Sequence, residues 1–89
     1  TIEETVQREV KEEVGLKVKN IRYYKSQPWS FSDTLLMGFY CDLDGEEEIT
    51  LDREELALAE WLRRDEIPVE PSRDSLTNEM IIKFKNGEV

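Results

Sequence analysis

The chain has 89 residues, enough for at most one small domain. Acidic residues outnumber basic ones 21 to 12, and the net charge of −9 argues against broad non-specific binding to phosphate backbones or anionic membranes. The absence of histidine excludes Ser-His-Asp and Cys-His mechanisms and every His-ligated metal site, while the single Cys41 can form neither an internal disulfide nor a zinc cluster.

Thr1 and Glu4 have capping-box spacing, and the chain opens directly on this helix signal without a methionine. We therefore expect further chain upstream of Thr1. Ile2, Val6, Val10 and Val14 recur every four residues, which predicts a helix over 2–14 closed by Gly15. Residues 17–25 alternate, with Lys17, Lys19, Arg22 and Lys25 between or beside Val18, Ile21 and Tyr23 and an irregularity at Asn20, and predict a strand. Residues 26–33 read as a strand end and a loop. The apolar run 34–43 predicts a buried strand, followed by an Asp44-Gly45 turn. Residues 46–56 are acidic, with a short strand expected at Ile49–Leu51 and a helical turn or loop after it. Another strand is expected at Leu58–Leu62, a helical turn at Asp65–Ile67, and a loop over 68–73. Asp74 or Ser75 caps a final helix with Leu76, Met80, Ile81 and Phe84 on its apolar face. The class is α+β. No apolar run approaches membrane-spanning length and no signal-peptide pattern opens the chain.

Glu9, Glu12 and Glu13 stand at i, i+3 and i+4, so a helix sets all three carboxylates on one face, apart from the valine stripe. Oxygen-only donors on a rigid helix suit Mg²⁺ or Mn²⁺. Three clustered glutamates alone, however, are ordinarily the solvated side of an amphipathic helix. Trp29 and Phe31 offer π-faces for a base and Gln27 offers amide donors and acceptors, although aromatics are as readily core residues.

The run Arg8-Glu9-Val10-Lys11-Glu12-Glu13-Val14-Gly15-Leu16 resembles the second half of the Nudix box, Arg-Glu-apolar-x-Glu-Glu-x-Gly-apolar. The box's first Glu and its Gly would fall before Thr1. Ser26-Gln27-Pro28-Trp29-Ser30-Phe31-Ser32-Asp33-Thr34 is similar to the Ser-Gln-Pro-Trp-Pro-Phe-Pro-x-Ser array of the NADH pyrophosphatase branch of Nudix hydrolases. Ser30 and Ser32 replace prolines and Thr34 replaces serine, which makes the loop less rigid. Glu55-Leu56-Ala57-Leu58-Ala59-Glu60-Trp61 is similar to the family's Glu-Ile-x-x-Ala-x-Trp stretch, with Glu54 beside Glu55 as a competitor. Ser75-Leu76-Thr77 and Met80-Ile81 resemble the start of its last helix, where a small residue stands in place of Thr77.

The resemblance implies a Nudix-type α/β/α sandwich with a mixed sheet, of which residues 1–89 are a partial domain that starts inside the box and lacks its N-terminal part. It implies Mg²⁺ or Mn²⁺ held by Glu9, Glu12, Glu13 and Glu55. Glu12 or Glu13 would take a proton from the attacking water, and Arg8 would orient Glu9. Gln27, Pro28, Trp29, Phe31, Thr34 and Thr77 would bind the substrate. The implied reaction is hydrolysis of the pyrophosphate bond of NADH or NAD to AMP and nicotinamide mononucleotide. The alternatives are another nucleoside diphosphate derivative (ADP-ribose, a dinucleoside polyphosphate or NAD-capped RNA) or a non-catalytic nucleotide sensor. The expected partners are a small dinucleotide and, as in the family, a second copy in a cytoplasmic homodimer. No membrane contact is expected, and the charge gives no support to extensive RNA contacts.

Overall fold

The computed structural model describes residues 1–28, 34–52 and 58–89. The elements run α1 (Ile2–Val14), β1 (Val18–Pro28), β2 (Leu35–Leu43), a single 3-10 turn (Arg64–Glu66) and α2 (Ser75–Lys85). β1 and β2 pair in a two-stranded sheet, so the class is α+β as expected. Contacts divide the chain into one unit of residues 1–22 and 39–60 and another of 23–38 and 61–89. Among the described residues no helix is long and apolar enough to cross a membrane.

In the first unit α1 has both ends closed. Thr1 Oγ1 accepts from Glu4 N at 3.2 Å, and the Glu4 carboxylate reaches back to the Thr1 amine at 3.5 Å. Gly15 leaves the helix at φ 72° and donates to Lys11 O at 3.0 Å. β-branched valines are indifferent helix formers, so tertiary packing must support the stripe. Val6, Val10 and Val14 are accordingly half-buried, whereas Ile2 is exposed. Leu16 and Val18 are buried beyond the helix end, and Gln7 Nε2 donates to Val18 O at 3.1 Å.

The expected strand at Ile49–Leu51 does not form. Its N–H groups turn to α1 instead: Thr50 N donates to Val14 O and Asp52 N to Glu13 O, each at 2.8 Å. Those carbonyls end a helix and have no intrahelical partner. The two-residue spacing of an extended edge therefore pairs with a helix terminus rather than with a sheet.

Asn20 is the one non-glycine with positive φ among the described residues, at 51°, where the alternation predicts an irregularity. Its side-chain amide donates to Asp42 Oδ2 at 2.9 Å, while Arg22 donates to Asp42 Oδ1 at 3.3 Å and to Asn20 O at 2.7 Å. Asn tolerates the left-handed region, and the carboxylate on β2 holds it there.

In the second unit the two adjacent tyrosines of β1 differ in exposure. Tyr23 is 54% exposed, and Tyr24 turns inward to donate its hydroxyl to Glu79. A partly buried phenol needs an acceptor, and α2 supplies one. The apolar run 34–43 does form a strand but is not buried throughout. Gly38 is its buried residue, whereas Leu35 and Met37 are 56% and 41% exposed. The expected strand at Leu58–Leu62 forms no ladder among the described residues, and Leu58, Trp61 and Leu62 are exposed. The helical turn appears at Arg64–Glu66, one residue early. α2 has Asp74 as N-cap, Leu76 buried, and Met80, Ile81 and Phe84 half-buried, as the periodicity predicts.

Gly15 ends α1 in close approach to Thr50. A Cβ there would meet Thr50 Cβ at 2.9 Å and Thr50 N and O at 3.3 Å, on a backbone that disfavours any Cβ. Gly15→Ala should cost about 2 kcal/mol, a fall in Tm of about 8–16 °C by calorimetry. A Tm within about 1 °C of wild type would show that this close approach is absent.

Candidate functional site

The acidic face of α1 lies within the first unit. Arg8 donates to Glu9 Oε1 at 3.4 Å, as expected, and also approaches Glu12 Oε1 at 3.9 Å. All three side chains are about half exposed or more, so each pair contributes about 0–1 kcal/mol. One guanidinium thus contacts two carboxylates of the same helix. Glu13 is half-buried, and its carbonyl carries the bond from Asp52. Among the described residues no three acidic, Cys or His side chains converge as a preformed metal cluster. The donor chemistry still fits a hard divalent cation, because Glu9, Glu12 and Glu13 offer oxygen alone on one rigid element. Glu55, like Trp29 and Phe31, lies outside the described residues.

The second unit carries the other expected site residues. Gln27, near the end of β1, sends its amide oxygen to the first turn of α2. It accepts from Ser75 Oγ at 2.6 Å and from Leu76 N at 2.9 Å. Asp74 accepts from Thr77 N and from Thr77 Oγ1, each at 2.7 Å. These bonds from Thr77, the hydroxyl first, hold the Asp74 carboxyl below its ordinary value of 3.8. Gln27 and Thr77 are thus brought to one place, the start of α2. Pro28 is exposed at the end of β1, and Thr34 is exposed just before β2.

One cluster beside them carries no signal in the sequence. The Glu79 carboxylate on α2 accepts from the Tyr24 hydroxyl and from Lys25 Nζ at 2.9 Å and 3.2 Å. Lys25 and Lys83 lie 5.5 Å and 5.9 Å from the Tyr24 ring centroid. The partners are more than fifty residues apart, so no local periodicity could have paired them.

Residues 1–83 match the NUDIX domain. The chain belongs to this family. Its curated relatives include the NAD-capped RNA hydrolase NudC of Erwinia tasmaniensis, 46% identical over 81 residues, which are 91% of this chain and 31% of that protein. The protein of the same name from Mannheimia succiniciproducens is 45% identical over 82 residues, 91% of this chain and 30% of the relative. The Escherichia coli protein of that name is 43% identical over 81 residues, with 91% and 31% covered. The chain therefore spans about a third of the length of these relatives.

The Tyr24 hydroxyl first, and the Lys25 ammonium second, hold Glu79 below its ordinary value of 4.5. A depressed carboxylate stabilises the fold above its unfolded pKa, and the contribution is lost as pH falls through the folded value. Glu79→Gln should therefore be less stable than wild type near neutral pH. The gap should close as pH drops below about 4.5. Urea midpoints from about pH 7 to about pH 3 measure it, and a gap that stays constant across that range would contradict the cluster.

Proposed function

We propose that the chain is the catalytic part of a Nudix hydrolase that cleaves the pyrophosphate bond of NADH or NAD, releasing AMP and nicotinamide mononucleotide. The observation that carries this reading is the pairing of two strings in one NUDIX domain, the glutamate run Arg8–Leu16 and Ser26-Gln27-Pro28-Trp29. The name of the relatives, NAD-capped RNA hydrolase, supports an NAD-containing substrate.

In this reading Glu9, Glu12, Glu13 and Glu55 hold Mg²⁺ or Mn²⁺. The cation supplies charge neutralisation at the pyrophosphate oxygens during attack by water. Glu12 or Glu13 accepts the proton of that water, which removes any need for histidine. Arg8 keeps Glu9 and Glu12 oriented through the contacts at 3.4 Å and 3.9 Å. Trp29 and Phe31 stack on the dinucleotide, Pro28 and Thr34 border it, and Gln27 and Thr77 shape the site from the start of α2. The cytoplasmic homodimer belongs to the same reading, with exposed Leu35 and Met37 as apolar surface of the kind a second copy covers. Residues 1–89 then form a partial domain that starts inside the box.

A second reading has the same bond cleaved at the NAD cap of an RNA. The printed name of the relatives favours it. A cap needs few protein contacts, so the net charge of −9 does not oppose it.

The test incubates the protein with NADH and Mg²⁺ or Mn²⁺ and separates the products by chromatography, with Glu12→Gln in parallel. We expect AMP and reduced nicotinamide mononucleotide, with kcat lowered about a hundredfold or more in the variant. Circular dichroism should be unchanged, because Glu12 is exposed and Gln is a comparable helix former. Cleavage of ADP-ribose but not NADH would overturn the reading of residues 26–34. No turnover of any nucleotide would favour a sensor.

A further inference from the structure

The amide of Gln27 sits where a helix needs an acceptor. The first N–H groups of α2 have no intrahelical partner. Asp74 serves one of them locally, since Thr77 N donates to its carboxylate at 2.7 Å, while Asn78 N makes the first intrahelical bond to its carbonyl at 3.2 Å. Leu76 N, which also lies near the Asp74 carboxylate, donates to a partner 49 residues away, Gln27 Oε1 at 2.9 Å. The orientation of this amide is determined by chemistry. A backbone N–H can only donate, so the oxygen of Gln27 must face it, and a flipped amide would set donor against donor. Ser75 Oγ adds a second donor to the same oxygen at 2.6 Å. Leu76 is buried, at 3% exposure, so water is a poor substitute for this acceptor.

We infer that Gln27 is a positioning residue: its amide oxygen clamps the first turn of α2, and Thr77 within it, to the end of β1. It then acts on a ligand through the placement of that turn rather than by touching the ligand. The bearing on the ligand rests on the dinucleotide reading above, whereas the clamp itself does not.

Two variants of the full chain test this. Gln27→Glu is isosteric, keeps an acceptor for Leu76 N–H and removes the amide donors; Gln27→Leu removes both. Hydrogen exchange followed by NMR should show the Leu76 amide exchanging about fivefold or more faster in Gln27→Leu, with Ile81 and Ile82 unchanged. Gln27→Glu should restore protection. With NADH as substrate, KM should rise in Gln27→Leu and return to within about twofold of wild type in Gln27→Glu, with kcat held in both. Unchanged Leu76 exchange in Gln27→Leu would overturn the clamp. So would a Gln27→Glu protein with Leu76 protected but KM as high as in Gln27→Leu, since the amide would then be reading the ligand directly. A wild-type protein that cleaves no dinucleotide sinks the functional reading alone, and the exchange pattern still decides for or against the clamp.

Discussion

Helix termini leave backbone donors and acceptors unpaired, and in this chain the partners at the end of α1 and at the start of α2 come in part from far along the sequence. The last carbonyls of α1 accept from Thr50 and Asp52. The first donors of α2 reach Gln27. Few large side chains are buried among the described residues, with Leu16, Val18 and Leu76 the apolar ones. With so little apolar burial, these backbone bonds carry more of the structural specificity than they would in a larger core. An unmade bond at a buried terminus costs the desolvation of the group, so each tie selects one arrangement of distant segments.

The parts of the fold legible in the sequence are those decided locally. The capping box of Thr1 and Glu4, the stop at Gly15, the cap at Asp74 and the apolar face of α2 each depend on residues within a turn of one another. The errors fall where a partner decides. Ile49–Leu51 has the composition of a strand, but its N–H groups find helix carbonyls instead of another strand. Tyr23 and Tyr24 are indistinguishable by type, and only Glu79, across the second unit, decides which one turns inward. The β2 run is apolar enough to be read as buried throughout, yet Leu35 and Met37 face solvent. For the site, the pairing of Arg8 with Glu9 was legible because the two are neighbours in sequence, whereas the contact of Gln27 with the start of α2 was not.

The electrostatics of α1 follow from its glutamates. Glu9 and Glu13 lie one turn apart on a chain of net charge −9, so gathering them is unfavourable without a cation. Arg8 offsets part of that repulsion for Glu9 and Glu12, at the surface where screening keeps each pair weak. Weak pairing is compatible with a divalent ion, because carboxylates locked in strong buried salt bridges would have to be released before they could act as ligands. Half-exposed side chains on a rigid, doubly capped helix keep their direction and remain available.

On α2 the two ties to β1 differ in kind and divide the work of placing Thr77. Gln27 meets Ser75 and Leu76, and Tyr24 with Lys25 meets Glu79 about one turn further on. A single tie leaves a helix free to pivot about it, whereas two ties a turn apart on one side fix its rotation as well as its position along the strand. The Gln27 tie is a neutral amide and does not change with protonation. The Glu79 tie depends on a charged carboxylate and weakens in acid. Thr77 lies between the two, with its hydroxyl held by the Asp74 carboxylate, so its presentation rests on one neutral tie and on two carboxylates, Asp74 and Glu79, each held below its ordinary value.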